Sequence, residues 1–458
     1  MAAKAAVRVQ NRADLVDHGE KELRALALDL LEEGLAALSP GVGLGRCVAV
    51  AGDELTVAGH TYDLSEIDRL VVLGAGKASA DLAVGLEQLL GRHLSGGLVV
   101  VRHFPEAQVG RIRLMAAGHP LPTTASVEAG RALLAEAEEL GERDLAICVF
   151  TGGSSALASV PPTGVSAEDK IALHRLLLAA GMSIVEINTV RKHVSAIKGG
   201  RLARAIAPAR IVNLTVSDVV GDPLDCITDP TVQDTSTVAE AVAVLEDHDL
   251  MEQVPASVRA HLANSAGAES PDVGEIDIES VLVTRGRDGA DAVVAAAQER
   301  GLTAVRLGGM LEGEASSVGS VLATLARESR LEGSPWPRGA VVVACGGEST
   351  VTLGANSRLA FGRGGPSQEA AIAAAMVLAD VDGVVACFAD TDGSDGGTEV
   401  AGGLVDWSTG ARARQRRIGL RKVLVGHESK AALEALGDAV VTGLTQTNAN
   451  DIVVMLTR

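Results

Sequence analysis

The sequence has little of what nucleic-acid-binding proteins and proteins at anionic membranes depend on. Aromatic residues make up 2% of its 458 residues, too few for a surface on which single-stranded bases stack. Its 40 Lys and Arg are outnumbered by 59 Asp and Glu, which gives a net charge of −19. Such an acid excess disfavours a large nucleic-acid footprint and binding to an anionic membrane. We therefore expect no nucleic-acid partner and no membrane partner.

Long hydrophobic runs and paired cysteines are also missing. The longest apolar run, AAIAAAMVLA at residues 370–379, is about half of the roughly 18 residues that a membrane span needs. The N-terminus has no hydrophobic core of the signal-peptide type. The five cysteines are odd in number and never form CxxC, so buried thiols are favoured over disulfides or zinc. These patterns are typical of a cytoplasmic protein.

Glycine, by contrast, is abundant, at 52 of 458 residues, and short apolar runs alternate with amphipathic ones. Strand-type runs at 68–76, 144–150 and 211–216 are separated by helix-type runs, the last of them at about 184–206. This rhythm predicts a parallel sheet covered by helices. The polar stretch 247–278 is the best linker candidate.

After that stretch the alternation restarts and continues to the C-terminus. The predicted fold class is therefore α/β with two domains: a Rossmann-like kinase-type domain over residues 1–255 and a smaller mixed α/β domain over residues 256–458. The active site is expected in the cleft between them, since two-domain enzymes of this kind close to exclude water. The packing of the last strand-type run, DIVVML, stays open, and a homodimer is the usual expectation for such an enzyme.

A first glycine-rich turn lies in VVLGAGKASADLAVGLEQLL, residues 71–90, which reads as strand, turn and helix with Lys77 near the helix start. Backbone N–H groups at a helix N-terminus, together with a fixed cation, suit phosphate. The stretch is not a Walker A loop, because Val71 and Ala78 stand where that motif needs Gly and Ser or Thr. A tight turn with a solvated lysine is the alternative. The candidate phosphate-binding residues are Gly74, Gly76 and Ser79.

A second turn of this type lies in CVFTGGSSALASV, residues 148–160. Hydroxyls and free amides at a strand's carboxyl end suit a phosphate or carboxylate. The nucleophile elbow GxSxG is absent, and a helix cap with a turn is the alternative interpretation. The candidate residues are Gly152, Gly153, Ser154 and Ser155.

A basic segment follows in INTVRKHVSAIKGGRLARAIAPAR, residues 187–210, which has six Lys or Arg and no acid. At helical spacing Arg191 and Lys198 fall on one stripe, which is able to hold triphosphate oxygens or a substrate carboxylate. A solvated basic face is the alternative.

Three carboxylates stand together in SDVVGDPLD, directly after the strand-type run IVNLTV. Open α/β sheets place their ligands at such strand ends. Asp218 and Asp222 are therefore candidate magnesium ligands, or the base that takes a hydroxyl proton. Ordinary helix capping is the alternative.

The second half contributes FGRGGPSQE, in which Arg363 precedes two glycines and a helix, and the acidic turn ADTDGSDGGTEVAGG. A calcium loop is disfavoured there, because the Gly that an EF-hand requires would fall at Asp395. Magnesium-dependent phosphoryl transfer needs groups that hold phosphate and groups that hold the metal ion. The sequence offers both, as two anion-binding turns, a basic stripe, an arginine and two acid clusters. The residues alone thus indicate an ATP-using kinase.

The order of the motifs GAGKAS, GHPLPTTASVEAG, TGGSSAL, NTVRKHVSAIKGGRLA, SDVVGDPLD, GGESTVT, GRGGPSQE and TDGSDGGTE resembles glycerate 2-kinase of the second class. Members of this family join an N-terminal domain called DUF4147 to a C-terminal MOFRL domain. The resemblance runs from about residue 20 to the C-terminus. It implies transfer of the ATP γ-phosphate to the 2-hydroxyl of D-glycerate, giving 2-phosphoglycerate and ADP, with Mg²⁺.

The resemblance also implies roles for particular residues. The family's essential lysine falls on Lys77, its C-terminal arginine on Arg363, and the acid of its TDG turn on Asp392. Lys77 and Arg363 would neutralise charge on the moving phosphoryl group. Asp392, Asp218 or Asp222 would hold magnesium or accept the proton, and the sequence does not say which.

Several positions depart from the family pattern. The chain reads TGGSSAL where three glycines are usual, TDPT at 228–231 where SGPT is usual, and GHESKAALEALG at 426–437 where an Asn, Asp and aromatic pattern is common. A different, longer 2-hydroxy sugar acid is therefore an alternative substrate. An NAD(P)H-dependent hydroxypyruvate reductase and a catalytically inactive binding protein are further alternatives, the reductase disfavoured by the incomplete dinucleotide fingerprint around Ser79.

Overall fold

A computed structural model describes residues 7–105, 107, 109–217, 219–353, 363–445 and 447–458. The helices among these residues are α1 (Arg12–Leu15), α2 (Lys21–Ala37), α3 (Pro40–Cys47), α4 (Ser79–Leu90), α5 (Thr124–Glu138), α6 (Ser154–Leu157), α7 (Ala167–Ala179), α8 (Ile184–His193), α9 (Arg201–Ile206), α10 (Leu224–Ile227), α11 (Val238–Asp247), α12 (Ala256–Ala263), α13 (Ser265–Ala268), α14 (Gly286–Glu299), α15 (Ala315–Glu332), α16 (Pro366–Leu378), α17 (Trp407–Gln415), α18 (Leu420–Val425) and α19 (Ser429–Leu436). In this part of the chain no helix has both the length and the hydropathy that crossing a membrane requires.

The strands are β1 (Val48–Ala51), β2 (Glu54–Val57), β3 (His60–Asp63), β4 (Leu70–Ala75), β5 (Gly96–Val101), β6 (Arg113–Ala116), β7 (Leu145–Phe150), β8 (Arg210–Val216), β9 (Ile278–Thr284), β10 (Thr303–Gly308), β11 (Glu312–Glu314), β12 (Ala340–Thr350), β13 (Val384–Asp390), β14 (Gly402–Asp406), β15 (Ala439–Val440) and β16 (Asp451–Thr457). Short 3-10 helices occupy Leu64–Glu66, Gly91–His93, Asp229–Thr231 and Asp395–Gly397.

The chain folds into two compact units. The parallel unit contains residues 43–217 and 222–283, and the mixed unit contains the described residues up to 42, residues 219–221 and residues 284–458. The predicted combination of a parallel-sheet part with a mixed α/β part is confirmed. The units divide near residues 43 and 284 rather than near 255. The cause is that α2 packs in the mixed unit and β9 belongs to the sheet of the parallel unit.

The parallel unit is built on a six-stranded sheet in the order β6-β5-β4-β7-β8-β9. Strand β4 pairs in parallel with both β5 and β7, and β7 pairs in parallel with β8. Every residue of β4 (LVVLGA) and of β7 (LAICVF) is buried. Continuous apolar strands of this kind need helices on both faces, as parallel sheets do. A small antiparallel sheet, β1-β2-β3, belongs to the same unit.

Strand β9 completes the sheet of the parallel unit, although the sequence suggested that a second domain starts there. The amide of Ile211 donates to the carbonyl of Asp277 at 2.9 Å, and Val281 and Val283 pack in one core with Val212. The polar stretch 247–278, expected as a linker, instead contains α12 and α13. Its polarity reflects exposed helix faces and turns rather than a domain boundary.

The predicted helical run at 184–206 is two helices, α8 and α9, joined by a turn. The hydroxyl of Ser195 accepts hydrogen bonds from the amides of Ile197 and Lys198, each at 3.2 Å. Gly199 and Gly200 then take left-handed conformations, with φ of 63° and 75°, which favour glycine. Arg191 and Lys198 therefore do not share one helical stripe.

The mixed unit is built on a sheet in the order β10-β12-β16-β13-β14-β15, with β11 paired to the end of β12. The final strand β16, whose packing the sequence left open, lies in the centre and pairs antiparallel with both β12 and β13. It is buried from Ile452 to Thr457. The C-terminal strand is therefore part of the core of this unit.

Helix α2 packs on the mixed unit. Its Leu28 and Leu31 share a core with Val454 of β16. The side chain of Arg24 is fully buried, with Nη1 3.0 Å from Asp406 Oδ2 and Nη2 2.6 Å from Asp438 Oδ1. A buried charge of this kind is tolerated only when it is paired and hydrogen bonded, so the N-terminal helix is tied to this unit.

Candidate active site

The two glycine-rich turns lie side by side in the parallel unit, because β4 and β7 are neighbouring parallel strands. The amide of Lys77 donates to the carbonyl of Gly152 at 2.9 Å, and the amide of Ala78 donates to Thr151 Oγ1 at 3.2 Å. The two turns, which the sequence offered as separate anion sites, are thus in direct contact.

The glycines of the first turn are required by close packing. A Cβ on Gly74 would collide with the carbonyl oxygen of Val149, and one on Gly76 would collide with Thr151 Oγ1. Gly76 also has a φ of 152°. Both residues therefore serve the approach of the two turns to one another.

Several donors that the sequence offered for anion binding are used within the turns. The hydroxyl of Ser79 is buried and donates to the carbonyl of Val149 at 2.8 Å. The amide of Ser154 donates to the carbonyl of Thr151 at 3.2 Å. Together with the engaged amides of Lys77 and Ala78, these donors are therefore not available to an anion.

Lys77 and His119 meet above Gly153, which has a φ of 87°. A Cβ on Gly153 would lie 2.9 Å from His119 Nε2 and 3.3 Å from Lys77 Cγ. Burial, followed by the charges of Lys77, Arg102 and Arg191 in that order, lowers the pKa of His119 to about 4. His119 is therefore neutral at physiological pH and lies among three cations.

Arg191, near the end of α8, is buried without a partner. It is 6% exposed, its Nε is buried without a hydrogen-bond acceptor, and the described residues supply no ion pair to it. Burial lowers the pKa of Arg191 to about 10, against an opposing effect of Asp229. An isolated buried charge is costly, so this side chain is suited to receive an anion.

Lys198 lies on the other side of the second turn. Its Nζ donates to Ser155 Oγ at 2.6 Å and forms an ion pair with Asp229. Burial lowers the pKa of Lys198, and the neighbouring carboxylate of Asp229 opposes that shift. Lys198 is therefore already neutralised, unlike Arg191.

Of the predicted metal ligands, Asp222 is described, and Asp218 lies outside the described residues. Asp222 is half-buried, has a φ of 56°, and makes no hydrogen bond or ion pair with a described residue. Within the ranges that the structure covers, no three His, Cys, Asp or Glu side chains converge as a metal site. Asp222 is thus a single available carboxylate.

Arg363 lies in the mixed unit, directly before the glycines that lead into α16. Its Nη1 is 3.3 Å from Glu428 Oε1, and its carbonyl accepts a hydrogen bond from the amide of Lys430 at 3.1 Å. A Cβ on Gly364 would collide with Ser429 Oγ. The glycine after Arg363 therefore allows this segment to pack against residues 428–430.

Asp392 belongs to an acidic group at the ends of β13 and β16. Its amide donates to Asp390 Oδ1 at 2.9 Å. Burial raises the pKa of Asp390 well above its usual range, with Asp392 as the next cause, and burial raises the pKa of Asp395 to about 8. Burial also raises the pKa of Asp451. This group therefore favours protonation or a neighbouring cation.

In the parallel unit the structure brings together the residues of both turns with Arg191 and Lys198. Arg363 and Asp392 belong to the mixed unit. Sequence reasoning missed His119 and Arg102. His119 could have been found from its position shortly after β6, because the glycine-rich turns also follow strands of this sheet.

Comparison with known proteins identifies the two halves of the chain. Residues 26–263 match the family described as "Domain of unknown function (DUF4147)", and residues 341–451 match the MOFRL family. The chain is similar to the glycerate 2-kinase of Pyrococcus horikoshii, with 35% identity over 439 residues that cover 95% of this chain and 97% of that protein.

Two further relatives are informative. A protein of Agrobacterium vitis named as a hydroxypyruvate reductase is 42% identical over 385 residues, which cover 84% of this chain and 86% of that protein. The crystal structure of a glycerate kinase from Thermotoga maritima superposes with a TM-score of 0.82 and 31% identity, covering 96% of this chain and 100% of that chain. The similarity thus extends over nearly the whole chain.

Proposed function

The chain belongs to the family of glycerate 2-kinases that join a DUF4147 domain to a MOFRL domain, and we propose that it transfers the γ-phosphate of ATP to the 2-hydroxyl of D-glycerate. The products are 2-phosphoglycerate and ADP. The observation that carries this proposal is Arg191, buried and unpaired, in the same cationic surroundings of His119 as Lys77.

Both substrates of this reaction are anions, and the parallel unit has cations available for them. Lys77 and Arg102 are exposed, and Arg191 has no described partner. Charge-assisted hydrogen bonds from arginine to a carboxylate or phosphate are among the strongest in proteins. We assign the carboxylate of the hydroxy acid to Arg191, because a buried charge needs a hydrogen-bonded partner and a carboxylate accepts two parallel hydrogen bonds from a guanidinium.

Lys77 is proposed to act on the moving phosphoryl group. Its amide is fixed by the carbonyl of Gly152, while its side chain is exposed beside Gly153. A cation fixed in place before the reaction stabilises charge that develops in the transition state without reorganisation. Arg363 is assigned the same task, and Asp392 remains a candidate proton acceptor.

Magnesium is proposed to bind through Asp222, together with Asp218. The fit rests on the carboxylate of Asp222, which no described residue engages. Magnesium in kinases is usually held by one or two carboxylates plus substrate phosphates, so a single available carboxylate suffices on the protein side. When bound, the ion would neutralise charge on the phosphates of ATP.

A longer 2-hydroxy sugar acid is the second candidate substrate, because Asp229 stands in TDPT, where the family the chain resembles usually has SGPT. Asp229 forms an ion pair with Lys198, so this departure changes the charge of the second turn's surroundings.

The reductase name of one relative is a less suitable description of this chain. Dinucleotide binding in the GxGxxG manner requires a third glycine for close packing of the helix on the strand, and Ser79 stands at that position with its hydroxyl bonded to Val149. Purified protein with hydroxypyruvate and NADH should therefore leave the NADH absorbance unchanged.

The kinase proposal is tested by coupled detection of ADP release with ATP, Mg²⁺ and D-glycerate. Reactions without the acid, without Mg²⁺, and with longer 2-hydroxy acids are the controls. Acid-dependent ADP release supports the proposal, and a preference for a longer acid selects the second candidate. ADP release that no acid stimulates would refute both.

A further inference from the structure

His119 is placed to contact a ligand, although the roles argued above do not include it. Its ring lies against Gly153. A Cβ on Gly153 would also lie 3.3 Å from Lys77 Cγ. Because Gly153 has no side chain, His119 and Lys77 converge on one side of the turn. His119 is half-buried, so part of its ring faces open space.

The ring of His119 has unused hydrogen-bonding capacity. Its Nδ1 is buried and has no hydrogen-bond partner among the described residues, so a bound molecule would reach the ring at Nε2, the nitrogen that lies beside Gly153. A neutral imidazole carries one donor nitrogen and one acceptor nitrogen. With the proton on Nδ1, Nε2 is the acceptor that faces a molecule which the protein receives.

The charges that the described residues place around the ring are positive. After burial itself, Lys77, Arg102 and Arg191 disfavour a proton on His119, and no carboxylate in the described part of the chain opposes them. This arrangement attracts an anion while it keeps the imidazole uncharged.

We propose that His119 is a substrate-binding residue that accepts a hydrogen bond from a hydroxyl of the hydroxy acid, while the neighbouring cations hold its carboxylate. The inference rests on the proposed function and deepens it. The cations attract any carboxylate or phosphate equally. An imidazole lone pair, in contrast, accepts an O–H, which an ionised carboxylate does not offer.

His119 therefore makes the site selective for hydroxyl-bearing acids over simple carboxylates. Sites that hydrogen bond a substrate hydroxyl reject analogues without it far more strongly than apolar pockets reject a size difference. D-glycerate and propionate are a suitable pair of probes, because propionate keeps the three-carbon acid and lacks both hydroxyls.

The experiment compares the full-length protein with His119→Leu, which removes the acceptor, and His119→Gln, which keeps a polar side chain able to accept. His60→Leu is the control, since the side chain of His60 is 70% exposed. Calorimetric titration measures affinity for D-glycerate and propionate, and steady-state assays give KM for D-glycerate and for ATP. Thermal unfolding confirms that each variant is folded.

His119→Leu should weaken D-glycerate binding at least tenfold, with propionate binding and the KM for ATP changed less than twofold. His119→Gln should recover part of the loss, and His60→Leu should match the unmodified protein. If His119→Leu fails to fold, His119→Gln is used to test the role, through the ratio of its affinities for D-glycerate and propionate. A preference for D-glycerate that is decreased but still measurable supports the role, and an unchanged preference contradicts it.

Unchanged D-glycerate affinity in a folded His119→Leu variant would overturn the inference, and so would an equal loss for D-glycerate and propionate. Neither result bears on the kinase proposal, which fails if no acid stimulates ADP release by the unmodified protein. If the protein binds D-glycerate selectively through His119 but transfers no phosphoryl group, the inference about His119 holds and the kinase proposal fails.

Discussion

Arg363 and Glu428 form an ion pair in the mixed unit, with Arg363 Nη1 3.3 Å from Glu428 Oε1. The amide of Lys430 also donates to the carbonyl of Arg363. Glu428 and Lys430 belong to GHESKAALEALG, the stretch in which the sequence departs most from the family it resembles. The unusual residues of that stretch therefore contact the arginine assigned to catalysis.

Replacing Arg363 by Ala should decrease kcat by about 100-fold or more, since it removes a cation from the transition state. Glu428→Gln should change kcat by less than about fivefold, because exposed ion pairs contribute at most about 1 kcal/mol. Steady-state ADP release measures both. Arg421→Ala, at an exposed site in α18, is the matched control. A rate for Arg363→Ala within twofold of the unmodified protein would remove Arg363 from the chemistry.

Lys77→Ala should lower kcat/KM by orders of magnitude while circular dichroism shows an intact fold. The side chain is exposed and makes no described ion pair, so its loss costs little stability and the effect is on catalysis. Lys422→Ala, which also removes an exposed lysine, controls for net charge. Normal activity in Lys77→Ala would contradict the assignment.

Asp222→Asn tests the magnesium assignment with little disturbance of the backbone. Asp222 has a φ of 56°, a region that Asn tolerates as well as Asp does. The variant should require a higher Mg²⁺ concentration for half-maximal rate, and its maximal rate should be lower. An unchanged magnesium titration would show that this carboxylate does not hold the ion.

Gly153→Ala should raise the KM for the acid substrate, because the new methyl group would lie 2.9 Å from the ring of His119. Gly164 offers a matched control: its φ is also 87°, but a Cβ there would meet no atom within 4 Å. Both substitutions should lower stability by roughly 1 kcal/mol through backbone strain. Only Gly153→Ala should change the KM, and equal kinetics in the two variants would argue against crowding at His119.

The stability of the protein should depend on pH through His119. Its pKa in the folded protein is about 4, below the ordinary value of roughly 6.5, so between these values the unfolded chain binds a proton that the folded protein does not. The stability that neutral His119 contributes is present above pH 6.5 and is lost as the pH falls toward 4. The charged groups that face His119 are Lys77, Arg102 and Arg191.

Urea unfolding at pH 7 and pH 5 measures this effect. The decrease in the free energy of unfolding between the two pH values should be smaller for His119→Gln than for the unmodified protein, by roughly 1 kcal/mol. Identical pH dependence in both proteins would show that His119 titrates normally.

Much of the parallel unit could be predicted from local sequence. The runs that form β4 and β7 are uninterrupted apolar segments that end in glycine-rich turns, and adjacent parallel strands must place such turns together. Lys77 and Gly153 were found from the glycine-rich turns alone, and the contact between the two turns was not predicted. The break at Ser195 was missed, because a single side-chain cap and two left-handed glycines outweighed a favourable helical pattern.

The remaining features depend on contacts between distant parts of the chain. Arg24 is buried against Asp406 and Asp438. The sequence of its own helix does not predict partners that lie 382 and 414 residues away along the chain. The neutral state of His119 likewise results from its burial and from cations on three other segments. Periodicity and turn chemistry do not contain such information, so the unit boundaries and the surroundings of His119 required the folded structure.

The central claim is tested most directly by phosphorus NMR of the product formed from ATP, Mg²⁺ and D-glycerate, with authentic 2-phosphoglycerate and 3-phosphoglycerate as standards. The account predicts a single phosphorylated acid that coincides with 2-phosphoglycerate, together with an equal amount of ADP. A product that coincides with 3-phosphoglycerate, or no phosphorylated acid at all, would contradict it.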